Sequence, residues 1–160
     1  MVLMDPGLIL SLVGAGIVMA VSGIGAGIGV AMAGQAAAGV MTEDPEKFGR
    51  MLPLVGIPGT QGFYGFLVGF LVLNKLNLLA ANIKIPTPAQ GIQIFSICVA
   101  VALVEFITSI WQAKVSVSSI YIVAKKPEEA GKALVLPIFV EIYAILGLAA
   151  GFLLLLSVKI

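Results

Sequence analysis

The sequence has no histidine and very few charged side chains. Of its 160 residues, 11% are charged and 60% are hydrophobic, whereas a soluble domain has about 25% charged and about 45–50% apolar residues. A chain of this size cannot bury so much apolar side chain inside itself, so we expect lipid to be its solvent. The absence of histidine removes the commonest metal ligand and general base.

Excess positive charge and cysteine pairs are also missing. A formal net charge of +1 argues against nucleic-acid binding, which normally needs a basic patch. Cys98 is the only cysteine, so an internal disulfide is excluded. The start, "MVLMDPG", lacks the basic residues of a signal peptide, and the apolar stretch after it is too long for a signal-peptide core. We therefore expect this segment to remain in the mature protein.

Long uncharged stretches dominate what is present. No charged residue lies between Asp5 and Glu43 or between Met51 and Asn74, and the mean hydropathy is +1.14. A membrane-spanning helix needs about 20 apolar residues. The pattern predicts an all-α membrane protein with four transmembrane helices, at roughly 8–41, 46–79, 91–124 and 128–158.

Two charged turns reveal an internal repeat. "TEDPEKFGR" (Thr42–Arg50) and "AKKPEEAGK" (Ala124–Lys132) share Pro-Glu followed by a glycine and a basic residue at equal spacing. Each proline suits the first position of a helix, with acids in its first turn. The repeat predicts two helical hairpins, 1–81 and 91–160, joined by a link at 82–90.

The basic residues predict the orientation of the hairpins. Five of the nine lie in or beside the two turns, and basic residues are enriched on the cytoplasmic side of membranes. We therefore expect cytoplasmic turns in the cell membrane, with both termini and the link facing outward.

The first span is rich in small residues, as in "SGIGAGIGVAMAG" (Ser22–Gly34). No strand precedes it and no G-x-G-x-x-G register is present, so we expect no phosphate site. Small residues recur every three or four positions, which predicts one face suited to close helix packing in a ring or bundle. This small-residue stripe consists of Gly16, Ala20, Gly23, Gly27, Ala31, Gly34 and Ala38.

Polar side chains of three spans are predicted to lie at one depth. Glu141 lies fourteen residues after Pro127 and Gln112 fifteen residues before it, which places them about 21 Å and about 22 Å along their helices. Gln61 lies sixteen residues after Pro45, about 24 Å along the second span. Thr60 and Tyr64 accompany Gln61.

Glu141 is the member of this layer with the strongest functional implication. A carboxylate at mid-membrane costs about 2.5–3.5 kcal/mol on insertion scales and indicates a functional site. The other polar residues could equally serve interhelical hydrogen bonding. Hydroxyl, amide and phenol oxygens suit a hard cation, and one carboxylate neutralises one monovalent charge. Na⁺ therefore fits better than a divalent ion, while H⁺ remains open.

Several motifs resemble a known family, the duplicated proteolipid subunit of the membrane rotor in vacuolar-type rotary ATPases. The resemblance covers essentially the whole chain. It rests on the small-residue first span and on "PEKFG" (Pro45–Gly49), "PGTQGFYGF" (Pro58–Phe66), "AKKPE" (Ala124–Glu128) and "VEIYAILG" (Val140–Gly147).

The bacterial sodium-pumping members of that family imply roles for individual residues. Glu141 would carry the ion, with oxygen ligands from Thr60, Gln61, Gln112 and the backbone carbonyl of Ile57. Tyr64 would hydrogen-bond Glu141 and close the site. Many proton-pumping relatives lack this full set of oxygens, so the resemblance favours Na⁺.

The family also implies partners. It implies a ring of identical subunits in lipid, turned by ATP hydrolysis in other subunits, with a stator arginine that opens each site and central-stalk subunits at the cytoplasmic turns. The chain has no phosphate loop, so we expect no catalysis from it. The first hairpin offers no acid in the layer, so one site per subunit is expected.

Two charged residues, Glu105 and Lys114, have no role in this scheme. Glu105 lies seven residues before Gln112, about 10 Å toward the outside, where it could line an outward path, sit protonated against a neighbour or be structural. Lys114 could extend to the membrane surface or pair with an acid.

Three alternatives to a sodium-carrying rotor remain open. They are a proton-driven rotor, a small transporter or channel, and a purely structural proteolipid.

Overall fold

Helices account for all four predicted spans in the computed structural model, which describes residues 5–78, 80 and 82–160. Within that part of the chain no residue belongs to a β-strand. The predicted hairpin ends at residues 1 and 81, and residue 79 of the second predicted span, lie outside the described residues. The helices are α1 (Pro6–Glu43), α2 (Phe48–Gly56), α3 (Thr60–Lys75), α4 (Pro88–Lys125) and α5 (Ala130–Ser157).

Side-chain caps begin the two longest helices. The Asp5 carboxylate accepts hydrogen bonds from the backbone N–H groups of Gly7 at 2.9 Å and Leu8 at 3.2 Å. Thr87 and Gln90 form a reciprocal capping box at the start of α4. Because the first N–H groups of a helix have no partner within it, these caps stabilise the ends of α1 and α4.

The two charged turns lie at the same end of the molecule. Each forms a short 3₁₀ turn that begins at a proline, Pro45 or Pro127. Lys47 of the first turn donates from Nζ to the carbonyl oxygen of Ala124 at 2.8 Å and forms an ion pair with Asp44 at 3.0 Å. The first turn thereby satisfies a carbonyl at the C-terminal end of α4.

The second span is interrupted rather than continuous. A 3₁₀ turn at Ile57–Gly59 separates α2 from α3, where Pro58 lacks a backbone N–H and glycine is a poor helix former. Helix α3 ends at Lys75, a few residues before the rough end of 79 predicted from the sequence. Asn77 just beyond has φ 52°, the left-handed conformation that commonly ends helices.

Helices α1 and α4 lie side by side and run in the same direction. Gly7 lies against Thr87 near their N-terminal ends, and farther along a Cβ at Gly25 would lie 2.8 Å from the Cα of Phe106. Glycine permits this close backbone approach because it has no side chain.

The hairpins repeat the same packing in tertiary structure. Helix α3 runs back along α1, with Gly65 against Ser22, and α5 runs back along α4, with Gly147 against Val104. Both residues of the second pair come 82 positions after those of the first. The duplication seen in the turns therefore extends into the helix contacts.

Two apolar clusters leave a polar layer between them. One cluster lies toward the link and the C-terminus, and the other toward the turns. Their largest fully buried members are Leu8, Val18, Ile94, Val68, Val72 and Leu76 in the first cluster, and Met51, Leu54 and Ile120 in the second. Side chains with strong polarity are consequently concentrated near the middle of the spans.

Apolar side chains also cover much of the outside. Phe63 is 75% exposed and Tyr143 is 67% exposed, and all four spans are long and apolar enough to cross a membrane. The small-residue stripe of α1 also faces outward, and a Cβ at Gly16, Gly23 or Gly27 would have nothing within 4 Å. Apart from Gly34, which is half-buried near Val55, the members of the stripe are exposed. The packing of α1 within the chain uses a different face, which includes Gly14, Gly25 and Gly29.

Candidate ion-binding site

The carboxylate of Glu141 lies where α3, α4 and α5 meet. It is 8% exposed, and its two oxygens accept hydrogen bonds from side chains of both neighbouring helices. Pro137 stands one helical turn before it within α5. The helical rise puts Gln61, Gln112 and Glu141 at one depth, and the structure shows these three side chains in direct contact.

Thr60 connects the carboxylate to the interruption in the second span. Its Oγ1 lies 2.8 Å from Oε1 and 2.9 Å from Oε2 of Glu141, and it lies 2.9 Å from the carbonyl oxygen of Ile57. The break after α2 turns that carbonyl toward the site, where it also accepts the backbone N–H of Thr60. The Thr60 hydroxyl is thus surrounded by three oxygens, namely both carboxylate oxygens of Glu141 and the carbonyl oxygen of Ile57.

The two glutamines are completely buried and join the site through their amides. Gln61 donates from Nε2 to Oε1 of Gln112 at 2.8 Å and to Oε2 of Glu141 at 3.3 Å. Gln112 donates from Nε2 to Oε2 of Glu141 at 2.7 Å and to the Pro137 carbonyl at 3.0 Å. Both glutamines thus present nitrogen, not oxygen, to the carboxylate.

Tyr64 donates its phenolic O–H to Oε1 of Glu141. It stands one turn after Thr60 on α3, so both hydroxyls approach the carboxylate from the same helix face. Hydroxyl and amide donors surround the Glu141 carboxylate, and a carboxylate in its ionised form can accept hydrogen bonds but cannot donate them. The arrangement is suited to a carboxylate held in a fixed orientation.

Two supporting residues were not predicted from the sequence. The Oγ of Ser109 on α4 lies 2.9 Å from the carbonyl oxygen of Gly25 and 2.6 Å from that of Pro58, and its single O–H hydrogen-bonds between them. This contact secures the interrupted span against α1. The Pro137 carbonyl orients the amide of Gln112. A proline one turn before Glu141 was a signal for the second contact, whereas nothing in the sequence marked Ser109.

The two charges outside the scheme have distinct surroundings. Glu105 has no exposed surface, so in this structure it lines no open path. Lys114 is exposed, and its Nζ lies 4.0 Å from the ring centroid of Trp111, a cation–π contact. In the described part of the chain Lys114 forms no ion pair with an acid.

Comparison with known proteins matches both hairpins to one family. The family of the ATP synthase C subunit matches residues 13–72 and again residues 95–154. The two matched segments have equal lengths, and they correspond to the two hairpins of the structure.

Two curated relatives cover most of the chain. The V-type sodium ATPase subunit K of Enterococcus hirae is 41% identical over 136 residues, which are 85% of this chain and 83% of the relative. The A-type ATP synthase subunit K of Methanocaldococcus jannaschii is 35% identical over 156 residues, which are 98% of this chain and 66% of the relative.

These similarities agree with the helical architecture and with a multi-pass membrane protein. They favour the rotor over the small transporter and over the purely structural proteolipid, and the family's ring-forming subunits are not catalytic. The chain belongs to the family of the ATP synthase C subunit, as a rotor-ring proteolipid of the V-type and A-type ATPases.

Proposed function

We infer that this rotor protein carries Na⁺ across the membrane and that Glu141 is the carboxylate that binds it. The ring would turn as partner subunits hydrolyse ATP, and each subunit would take up one ion on one side and release it on the other. The Enterococcus hirae relative is a subunit of a sodium ATPase, which supports this choice of ion.

The observation that carries the proposal is the clustering of oxygen atoms around Thr60. Its Oγ1 lies 2.8–2.9 Å from both Glu141 oxygens and from the Ile57 carbonyl, and 3.4 Å from Oε1 of Gln61. Hard cations with oxygen ligands at about 2.3–2.6 Å hold those oxygens about 3.3–3.7 Å from one another. Small outward shifts would let the oxygens of Thr60, Glu141 and Ile57 share one Na⁺.

Gln61 would complete the ligand set by turning its amide over. Its Nε2 now lies 2.8 Å from Oε1 of Gln112 and 3.3 Å from Oε2 of Glu141. An oxygen in that position would repel both atoms unless a cation lay between them. Na⁺ binding would therefore reverse this amide and bring in the Gln112 oxygen, while Gln112 keeps its nitrogen on the Pro137 carbonyl.

Charge balance explains how such a site would operate. With Na⁺ bound the site is neutral, so it can move past lipid, whereas an empty Glu141 is an anion that is expensive to place in hydrocarbon. A stator arginine would stabilise that anion during exchange. Tyr64 would hold the loaded site closed through its hydrogen bond to the carboxylate.

The assembly follows from the surfaces left open by the chain. The small-residue stripe of α1 faces outward, and small faces permit close packing between helices in lipid. It would pack against neighbouring subunits in the ring. The basic turns would face the cytoplasm and contact the central stalk, and the termini and the link would face outward.

Site-resolved carbodiimide labelling tests the proposal. Purified rings are treated with dicyclohexylcarbodiimide at increasing Na⁺ concentrations, and the modified peptides are quantified by mass spectrometry. Na⁺ should protect Glu141 from modification because the bound ion occupies its oxygens. An equal concentration of K⁺ or choline should protect it far less.

Two variants complete this experiment. Glu141→Gln should abolish Na⁺ transport in reconstituted vesicles while the ring still assembles. Thr60→Ser, which keeps the hydroxyl, should retain protection by Na⁺. Equal Glu141 labelling with and without Na⁺ would reject the sodium site and favour the proton-carrying rotor, in which transport continues without Na⁺.

A further inference from the structure

Glu105 is a second acid inside the membrane-spanning part of the chain that the proposed sodium site does not use. It lies on α4 seven residues before Gln112, about 10 Å away along the helix axis. A Cβ at Gly147 of α5 would lie 3.4 Å from Oε1 of Glu105. Because Gly147 follows Glu141 by six residues, the two acids are separated by about 9 Å along α5.

The carboxyl group of Glu105 is sealed within a single subunit. Its exposed fraction is 0%, and neither oxygen has a hydrogen-bond partner among residues 5–78, 80 and 82–160. Gly147 permits the α5 backbone to cover it, since any side chain there would meet Val104. A neighbouring subunit, a stator arginine or water could reach Glu105 only if the helices separated.

No basic side chain of the described helices neutralises this group. From Pro6 to Thr42, α1 contains no charged residue. Lys75, Lys125 and Lys132 stand near the ends of α3, α4 and α5, and Lys114 lies over Trp111 on the exposed side of α4. An ionised Glu105 would thus be an isolated charge in an apolar interior, which is strongly unfavourable.

A metal ion does not suit this position either. Cations such as Na⁺ need several oxygen ligands, and neither oxygen of Glu105 has a polar contact in the described part of the chain. We propose that the Glu105 carboxylate of each subunit binds a cation of its own, and that this cation is a proton. The proton stays on Glu105 while the ring turns.

This proton would prevent Glu105 from placing a second negative charge near the Glu141 carboxylate of the sodium site. Besides these lysines, the ionisable groups on α3, α4 and α5 are Tyr64 on α3, Cys98 and Tyr121 on α4, and Glu141 and Tyr143 on α5, and none of them supplies positive charge. With Glu105 protonated, one Na⁺ at Glu141 leaves the interior of the subunit neutral. The inference does not depend on which ion Glu141 carries.

Infrared spectroscopy of the purified ring in lipid vesicles tests the proposal. At neutral pH exposed carboxyl groups are ionised, so the C=O stretching band of a protonated carboxylic acid reports buried acids. In the unaltered ring this band should persist at saturating Na⁺, which displaces any proton from Glu141. It should be lost in Glu105→Gln and retained in Glu141→Gln.

Each outcome separates this inference from the proposed sodium transport. A band that vanishes as Na⁺ is added to the unaltered ring would overturn the inference without any need for a variant. A band of double intensity, half of it lost in each variant, would support a proton on Glu105 and reject Na⁺ at Glu141. Binding of two Na⁺ per subunit in the unaltered ring would assign sodium to Glu105 and overturn the inference.

Discussion

Gln112 of α4 donates from Nε2 to Oε2 of Glu141 on α5 across 2.7 Å, and both side chains are buried. The same nitrogen donates to the Pro137 carbonyl at 3.0 Å. One amide thus fixes the carboxylate relative to the backbone of the helix that carries it. Because the contact links two helices, the site depends on their packing as well as on its own residues.

Replacing Gln112 by leucine should weaken Na⁺ binding about 10- to 100-fold. Hydrogen bonds to charged groups contribute about 1.5–3 kcal/mol, and each 1.4 kcal/mol is about tenfold in affinity. The measurement is the Na⁺ concentration that half-protects Glu141 from carbodiimide. Gln93→Leu is the matched control, because Gln93 is exposed on the same helix, and an equal loss in both variants would contradict a specific role for Gln112.

Tyr64→Phe should loosen the closed site without removing an ion ligand. The variant keeps the ring but loses the O–H that donates to Oε1 of Glu141. We expect faster carbodiimide labelling of Glu141 in the absence of Na⁺ and a weaker affinity, by about 10-fold or more. Tyr143→Phe, at a position 67% exposed on α5, should label at the unaltered rate; unchanged labelling in Tyr64→Phe would refute the closing role.

Thr60→Val and Thr60→Ser separate the hydroxyl from the shape of the side chain. Valine has nearly the same size as threonine but no oxygen to bridge the Ile57 carbonyl and Glu141. Na⁺ affinity should fall at least about 10-fold in the valine variant, because a buried acceptor loses its partner, and it should fall much less with serine. Titration of Na⁺ binding to the purified rings checks this, and equal affinities would remove Thr60 from the ligand set.

Two glycines on α1 should respond differently to alanine. A Cβ at Gly25 would lie 2.8 Å from the Cα of Phe106, whereas one at Gly27 would meet nothing within 4 Å in the chain. Overpacking of this kind costs about 1–3 kcal/mol, so Gly25→Ala should destabilise each subunit.

Gly27→Ala instead should affect ring assembly through the small-residue stripe. Native mass measurement of the ring, together with thermal unfolding of the dissociated subunit, distinguishes the two effects. Gly131→Ala serves as the control, since it also has open space. If Gly25→Ala and Gly27→Ala lowered subunit stability equally, the assignment of the two faces would be wrong.

Helix rise made the depth of the site predictable. Gln61, Gln112 and Glu141 could be placed at one level because each residue advances an α-helix by about 1.5 Å, and in the structure they are in contact. The orientation of the two amides could not be predicted, since a glutamine can present nitrogen or oxygen to the same neighbour. The break at Ile57–Gly59 was signalled by Pro58, but its effect on the Ile57 carbonyl required the backbone.

The composition and the periodic pattern alone determined that the chain is a multi-pass membrane protein, that its four spans form two repeats, and that the carboxylate of Glu141 lies level with Gln61 and Gln112. These properties depend on hydropathy, helix length and spacing, which are local. Tertiary packing decided how each helix is rotated, and therefore that the stripe of Gly16, Gly23 and Gly27 faces outward and that Glu105 is enclosed. Rotation about a helix axis is set by the neighbours, because lipid exerts no hydrophobic preference between apolar faces.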